Sequence, residues 1–201
     1  ASDSPCMNSG ENDARMGAAT GTCDAAGSPR KTVSLQSGVY QMGTFNLVHT
    51  ISIEGAGSDK TIIEGTVRGL RTSAGLSNVK VTKGRYSGIL VATEESPCIS
   101  NCLISDNTAL SGGGVFCWGD GKPEIKDCRI TNNNAESGGG ITCRADVLIT
   151  DCVISDNQAD TGGGIYIYMA SPEITGCTVS QNSGFEYGGV YGYESNAVVK
   201  N

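Results

Sequence analysis

From residue 97 onward, short runs of alternating apolar and polar positions recur along the chain. Ile99, Cys102 and Ile104 are followed by Ile125, Cys128 and Ile130, by Ile149, Cys152 and Ile154, and by Ile174, Cys177 and Val179. The four cysteines lie 26, 24 and 25 residues apart. Five residues after each stands an asparagine, Asn107, Asn133, Asn157 or Asn182, and twelve after it a glycine group closes at Gly114, Gly140, Gly164 or Gly189. Alternation then resumes as Val115 and Cys117, Ile141 and Cys143, Ile165 and Ile167. A period of two predicts strands, and no stretch of the repeats keeps a helical period. Gly, Asn, Asp and Pro between the runs predict turns.

One such unit cannot bury its own apolar side, so successive units must stack. The pattern predicts a parallel β-solenoid, one unit per coil, with coils at the ~4.8 Å spacing of hydrogen-bonded strands. Like then lies over like. Cys102, Cys128, Cys152 and Cys177 form one inward column, the Ile positions others, and Asn107, Asn133, Asn157 and Asn182 an amide ladder. Residues 65 to 96 fit as a less regular coil, with Val79 and Val81 in the Cys and Ile columns and SGILV at 87 to 91 in the glycine-strand place.

Residues 32 to 64, TVSLQSGVYQMGTFNLVHTISIEGAGSDKTIIE, resemble the opening coils of pectin-lyase-like right-handed β-helices. Residues 97 to 201 resemble the repeats of polymorphic outer membrane proteins, described by GG[AGS][ILV] and FxxN. The first motif reads here GGGV, GGGI, GGGI and YGGV; the second reads ISDN, ITNN, ISDN and VSQN, with Ile or Val in the Phe place. The resemblance implies an all-β, right-handed parallel β-helix over residues 32–201, about seven coils of about 25 residues. Residues 1–31, irregular and rich in Gly, Ser and Asn, are expected to cap it.

Composition narrows the function. A net charge of −7 with no Lys/Arg cluster argues against nucleic acid and anionic membrane surfaces. No segment nears the ~20 apolar residues of a membrane-spanning helix. Nine cysteines suit an oxidising compartment, yet neighbours in a parallel stack point their Cβ atoms side by side. The four column cysteines therefore read as buried free thiols. A disulfide between Cys6 and Cys23 is expected to close the cap. No zinc site is expected, because there is no CxxC pair and His49 stands alone. GAGSDKT at 55 to 61 lacks the Gly before Lys and the following helix of a phosphate loop, so it reads as a turn between strands.

Two classes of function remain open. Polysaccharide-cleaving enzymes on this fold use an Asp-Asp pair with Gly-His-Gly, or a carboxylate calcium site with an Arg or Lys base. The chain has no Gly-His-Gly, and Asp106 and Asp156 read as solvated turn carboxylates, with calcium the only cofactor left in question. A lyase or epimerase would gather carboxylates in a groove lined by Arg or Lys. The other class is a non-enzymatic structural or adhesive module, secreted or at the cell surface. Alternation puts Phe116, Thr142, Tyr166 and Tyr191 in one outward column and Trp118, Arg144, Tyr168 and Tyr193 in the next, with Tyr187 beside them. The aromatic side chains Phe116, Trp118, Tyr166, Tyr168, Tyr187, Tyr191 and Tyr193 can stack on one another, bury against a protein partner or another copy, or pack on sugar rings. Val199 falls in the Ile column just before the end, so the stack is expected to continue in a longer chain or by end-to-end assembly.

Overall fold

The computed structural model describes residues 16–23, 29–47, 51–71, 74–92 and 94–200, and every regular element in them is a strand. The strands wind as a parallel solenoid around one apolar core. In the first sheet, Met16–Cys23 pairs antiparallel with Pro29–Leu35. Eight strands from Pro29–Leu35 to Val198–Lys200 then stack in order, marking off seven coils. Register is strict: Ile99, Ile125, Ile149 and Ile174 lie one over another, all essentially buried. Val81, Ile104, Ile130, Ile154 and Val179 align likewise in the second sheet, the first four buried and Val179 partly so. Burying each such side chain stabilises the stack by roughly 1.5–3 kcal/mol.

The second sheet shows how the repeat is built. Thr61–Arg68 is one unbroken strand, pairing at one end with Lys80–Thr82 and at the other with Ile89–Ala92. In the next coil the excursion 83–88 separates these two arms. In later coils the excursion is longer and carries a strand of its own: Thr108–Ser111, Asn134–Ser137, Gln158–Thr161 and Ser183–Glu186 form a third sheet. The sequence reading has no strand there. Its only inward apolar residues are the small Ala109, Ala135 and Ala159, which give a weak alternation signal. GAGSDKT is a turn between Ile51–Gly55 and Thr61–Arg68, as its composition predicts.

Both corners flanking the strand after the Cys need a left-handed residue. Asn78, Asn101, Asp127, Asp151 and Gly176 hold the first, at φ of 52° to 63°. Lys83, Asp106, Asn132, Asp156 and Gln181 hold the second, at 54° to 59°. Asn and Asp bear this conformation better than other non-glycine residues. Asp106 and Asp156 thus serve the bend of the chain. Asp106 also accepts a hydrogen bond from Ser105 Oγ at 2.7 Å and lies 3.6 Å from Lys80 Nζ.

Directly after the second corner, the asparagine side chains join coil to coil. Asn133 Oδ1 accepts from the backbone N–H of Asn107 at 3.1 Å and from its Nδ2 at 2.9 Å. Asn133 Nδ2 donates to Ile104 O at 2.9 Å and to Asn157 Oδ1 at 3.0 Å. All four capacities of a buried amide are therefore used. Asn157 repeats the arrangement, with Nδ2 donating to Ile130 O and to Asn182 Oδ1. Its Oδ1 accepts from the backbone N–H and Nδ2 of Asn133, both at 3.0 Å. At the head of the chain Asn107 Oδ1 accepts from Gly84 N at 2.8 Å. Gly114, Gly140 and Gly164, the last glycines of their groups, belong to the same device: a Cβ on Gly140 would lie 2.9 Å from Ile154 Cγ2 and 3.1 Å from Asn157 Nδ2.

The column thiols are free, with Cys102, Cys128 and Cys152 buried and Cys177 partly so. Each donates to the carbonyl two residues back, at 3.2 Å for Cys102 and Cys128, 3.3 Å for Cys152 and 3.4 Å for Cys177. A cysteine is small enough for the corner and still supplies a donor. Cys117 and Cys143 pair in register in a second inward column. The expected Cys6–Cys23 disulfide falls outside the described residues, which do not include Cys6.

Replacing Asn157 with Ala is expected to lower stability by about 1–3 kcal/mol, since buried partners lose their hydrogen bonds. A denaturation midpoint equal to that of the wild type would remove the amides from the account. Burial pushes the Cys143 thiol from 9.0 up to about 12. Unfolded thiols then lose protons that native ones keep, so stability should fall as pH rises from about 9 toward about 12. Urea midpoints across that range should drop less in a Cys117→Val, Cys143→Val variant than in the wild type.

Candidate binding face

The strands after the glycines present one side to solvent, and register decides what appears there. Leu90, Phe116, Thr142, Tyr166 and Tyr191 are aligned in the first outward column. In the second, Trp118 aligns with Arg144 and Tyr168 with Tyr193. Coil spacing is close to the separation at which rings pack, so aromatic neighbours in a column stack. Tyr166 and Tyr191 have centroids 5.7 Å apart with planes at 19°, and Tyr168 and Tyr193 are 5.4 Å apart at 9°. Tyr166 and Tyr168, side by side on one strand, are 6.3 Å apart.

Arg144 completes the face, a role that its place in an otherwise aromatic column only hinted at. Its guanidinium lies 5.0 Å from the ring centroid of Tyr168 and 5.8 Å from that of Phe116. Each such contact at the surface contributes roughly 0.5–1 kcal/mol. Rings above and below hold the group in place, and among the described residues no carboxylate pairs with it. Its edge N–H donors remain directed to whatever meets the face. Burial raises the Tyr166 pKa, opposed by the Arg144 charge, so its phenol stays protonated at neutral pH.

Thr142 departs from expectation. It occupies an outward register position but is fully buried between the columns of rings, and its hydroxyl donates to Ser137 O at 2.8 Å. A short side chain between Phe116 and Tyr166 cannot reach past them. Outward faces with more exposure are Trp118 at 43 %, Tyr193 at 44 % and Tyr187 at 60 %. Phe116, Tyr166, Tyr168 and Tyr191 are half-buried by their neighbours.

Tyr187 carries strain. In the three preceding coils its place belongs to Gly112, Gly138 and Gly162, at φ of 62° to 64°, and Tyr187 adopts φ 58° in the same conformation. A bulky residue there is held against its preference. Its ring lies 4.5 Å from that of Tyr191, with planes at 9°. Phe185 and Leu110, exposed at 92 % and 73 %, lie apart from this face on the third sheet, a surface the sequence reading did not place.

Among the described residues no three His, Cys, Asp or Glu side chains are grouped to hold a metal ion. No helix among the described residues is long and apolar enough to cross a membrane. The family model described as right handed beta helix region matches residues 37–201. No curated protein and no solved structure matches the chain.

Both Tyr187→Gly and Tyr187→Ala remove the ring, but only the glycine relieves the backbone. The Ala variant should therefore be less stable than the Gly variant by about 1 kcal/mol. Equal unfolding free energies would show that the strain is absent.

Proposed function

Because the chain belongs to the right-handed β-helix family and a fold does not fix a function, we propose from its surface that it is a non-enzymatic contact module, self-associating through its aromatic face. The observation that carries this reading is the composition and rigidity of that face. Trp118, Arg144, Tyr168, Tyr191 and Tyr193 are of the residue types that dominate binding energy at protein interfaces. All but Trp118 are also preordered, since ring stacks and the cation sandwich fix their rotamers before any partner arrives, which reduces the entropy lost on association. Tyr187, strained yet stacked on Tyr191, extends the same surface.

The ring stacks weigh against sugar packing as the main use, because carbohydrate rings need an aromatic face and most faces here are taken by neighbouring rings. A protein surface can meet the edges, hydroxyls and guanidinium instead. The resemblance of the repeats to those of outer membrane proteins supports a secreted or cell-surface setting, where another surface protein is the alternative partner.

Sedimentation velocity over a concentration series, with electron microscopy of the same samples, tests the reading. The wild type should associate, and a Trp118→Ser, Arg144→Ser, Tyr193→Ser variant should remain monomeric with a cooperative melting curve. A wild type that stays monomeric throughout and releases unsaturated product from an acidic polysaccharide would point to the lyase instead.

A further inference from the structure

The stack has a step, and the step makes a groove. In the coil of Thr61–Arg68 only Gly65 and Thr66 separate the two arms of the second sheet; in the next coil Lys83, Gly84, Arg85, Tyr86, Ser87 and Gly88 stand between them. The longer excursion overhangs the shorter one and leaves an open groove of about 480 Å³, away from the aromatic face. That volume lies within the range of small-molecule sites.

The floor is backbone. The preceding strand, Gly38–Asn46, bulges between Gln41 and Gly43, and Gly43 aligns with Gly65. Gly43 is at φ 59° with open space where a Cβ would project, and Gly65 at φ 143° sits against it, its missing Cβ 2.6 Å from Gly43 O. Gly65 lets the paired strand come close, and the open side of Gly43 lets a ligand approach the main chain. Met42, the bulged residue, and Tyr86, exposed at 76 %, supply apolar surface on the two sides.

The charges in the groove do not cancel. Glu64 takes Lys83 Nζ on Oε1 at 2.6 Å and Gln41 Nε2 on Oε2 at 2.9 Å. These two hydrogen bonds, that of Lys83 first, lower its pKa and keep it ionised. The pair neutralises itself, and with both carboxylate oxygens engaged Glu64 is set to shape the groove. Arg85 lies in the same lining, exposed, and among the described residues has no carboxylate partner. Two cations against one carboxylate leave one positive charge on a chain of net charge −7. That charge stands next to an exposed ring.

We infer that this step is a binding site for a ring-bearing carboxylate, with the carboxylate on the Arg85 guanidinium, the ring against Tyr86 and polar substituents over the Gly43–Gly65 backbone. A guanidinium binds a carboxylate through two parallel N–H donors, and a neighbouring ring selects for a flat body. Aromatic acids and sugar acids share this chemistry, and the measurement can separate them.

The test is calorimetric titration with 4-hydroxyphenylacetate and with galacturonate, each beside its uncharged counterpart, 4-hydroxyphenylethanol and galactose. At least one acid should bind at a single site, the one that binds identifying the source. Its neutral counterpart should bind about tenfold more weakly, as loss of a charge-assisted pair implies. Arg85→Gln and Tyr86→Ala should each weaken binding without moving the melting temperature, whereas Trp118→Ser should leave it unchanged. The inference is overturned if neither acid binds, if the neutral compounds bind equally well, if Arg85→Gln binds as the wild type does, or if Trp118→Ser removes binding. Because Trp118 lies outside the groove, failure here leaves the contact role of the aromatic face standing, and the reverse also holds.

Discussion

The fold depends on hydrogen bonds between asparagine side chains of successive coils. Each central amide satisfies its own four capacities only when a matching amide lies on both sides, as Asn133 and Asn157 show. A buried amide with one neighbour missing leaves polar groups unpaired, at a cost of about 1–3 kcal/mol. This requirement fixes which parts of the repeat can vary. From each Cys to the last glycine the count of residues never changes, because an insertion there would carry the amide, or the glycine that makes room for it, out of line. The differences of 26, 24 and 25 residues between cysteines are absorbed beyond the glycine strand, outside the amide column.

The same logic explains which features could be read from one sequence. Columns were legible because a column is a repeated residue: Ile99 over Ile125 over Ile149, and Cys102 over Cys128, follow from spacing alone. The third sheet was not, since Ala135 and Ala159 bury too little surface to mark a strand. The burial of Thr142 was not legible either. Its exposure is decided by the size of its neighbours one coil away on each side, Phe116 and Tyr166, and period-two alternation knows only the direction in which a side chain leaves the strand. The left-handed corners were present in the sequence as Asn or Asp before Cys102, Cys128 and Cys152, a signal that becomes specific once both corners are seen to need positive φ.

Coil spacing also limits what an aromatic column can do. Rings placed one above another at that height pack on each other, as the separations of 5.4 and 5.7 Å on this face show. Packing stabilises the stack but covers the ring faces, so what remains for a partner is ring edges, phenolic hydroxyls and the ends of the column. Placing Arg144 among the rings changes that outcome. A guanidinium uses its flat sides against Phe116 and Tyr168 and keeps its hydrogen-bonding edge free, so the column gains a directed donor without losing its packing.

In a solenoid, specific chemistry has to come from departures from the repeat, because a perfect repeat offers the same environment at every coil. Three departures stand out here, and each falls where a column changes residue type or length. Arg144 interrupts the ring column, Tyr187 takes a left-handed place held by glycine in three earlier coils, and the excursion shrinks to Gly65 and Thr66 near Arg85. The first two lie on one face, each held by contacts with neighbouring rings. The third lies at the step in the stack, where the overhang of one coil and the bare backbone of another form the groove. Amide and isoleucine columns run past the first two sites without interruption, so the scaffold carries the strain at Tyr187 while keeping register. A rigid stack with local exceptions can thus vary its surface at separate places while the buried columns keep their register.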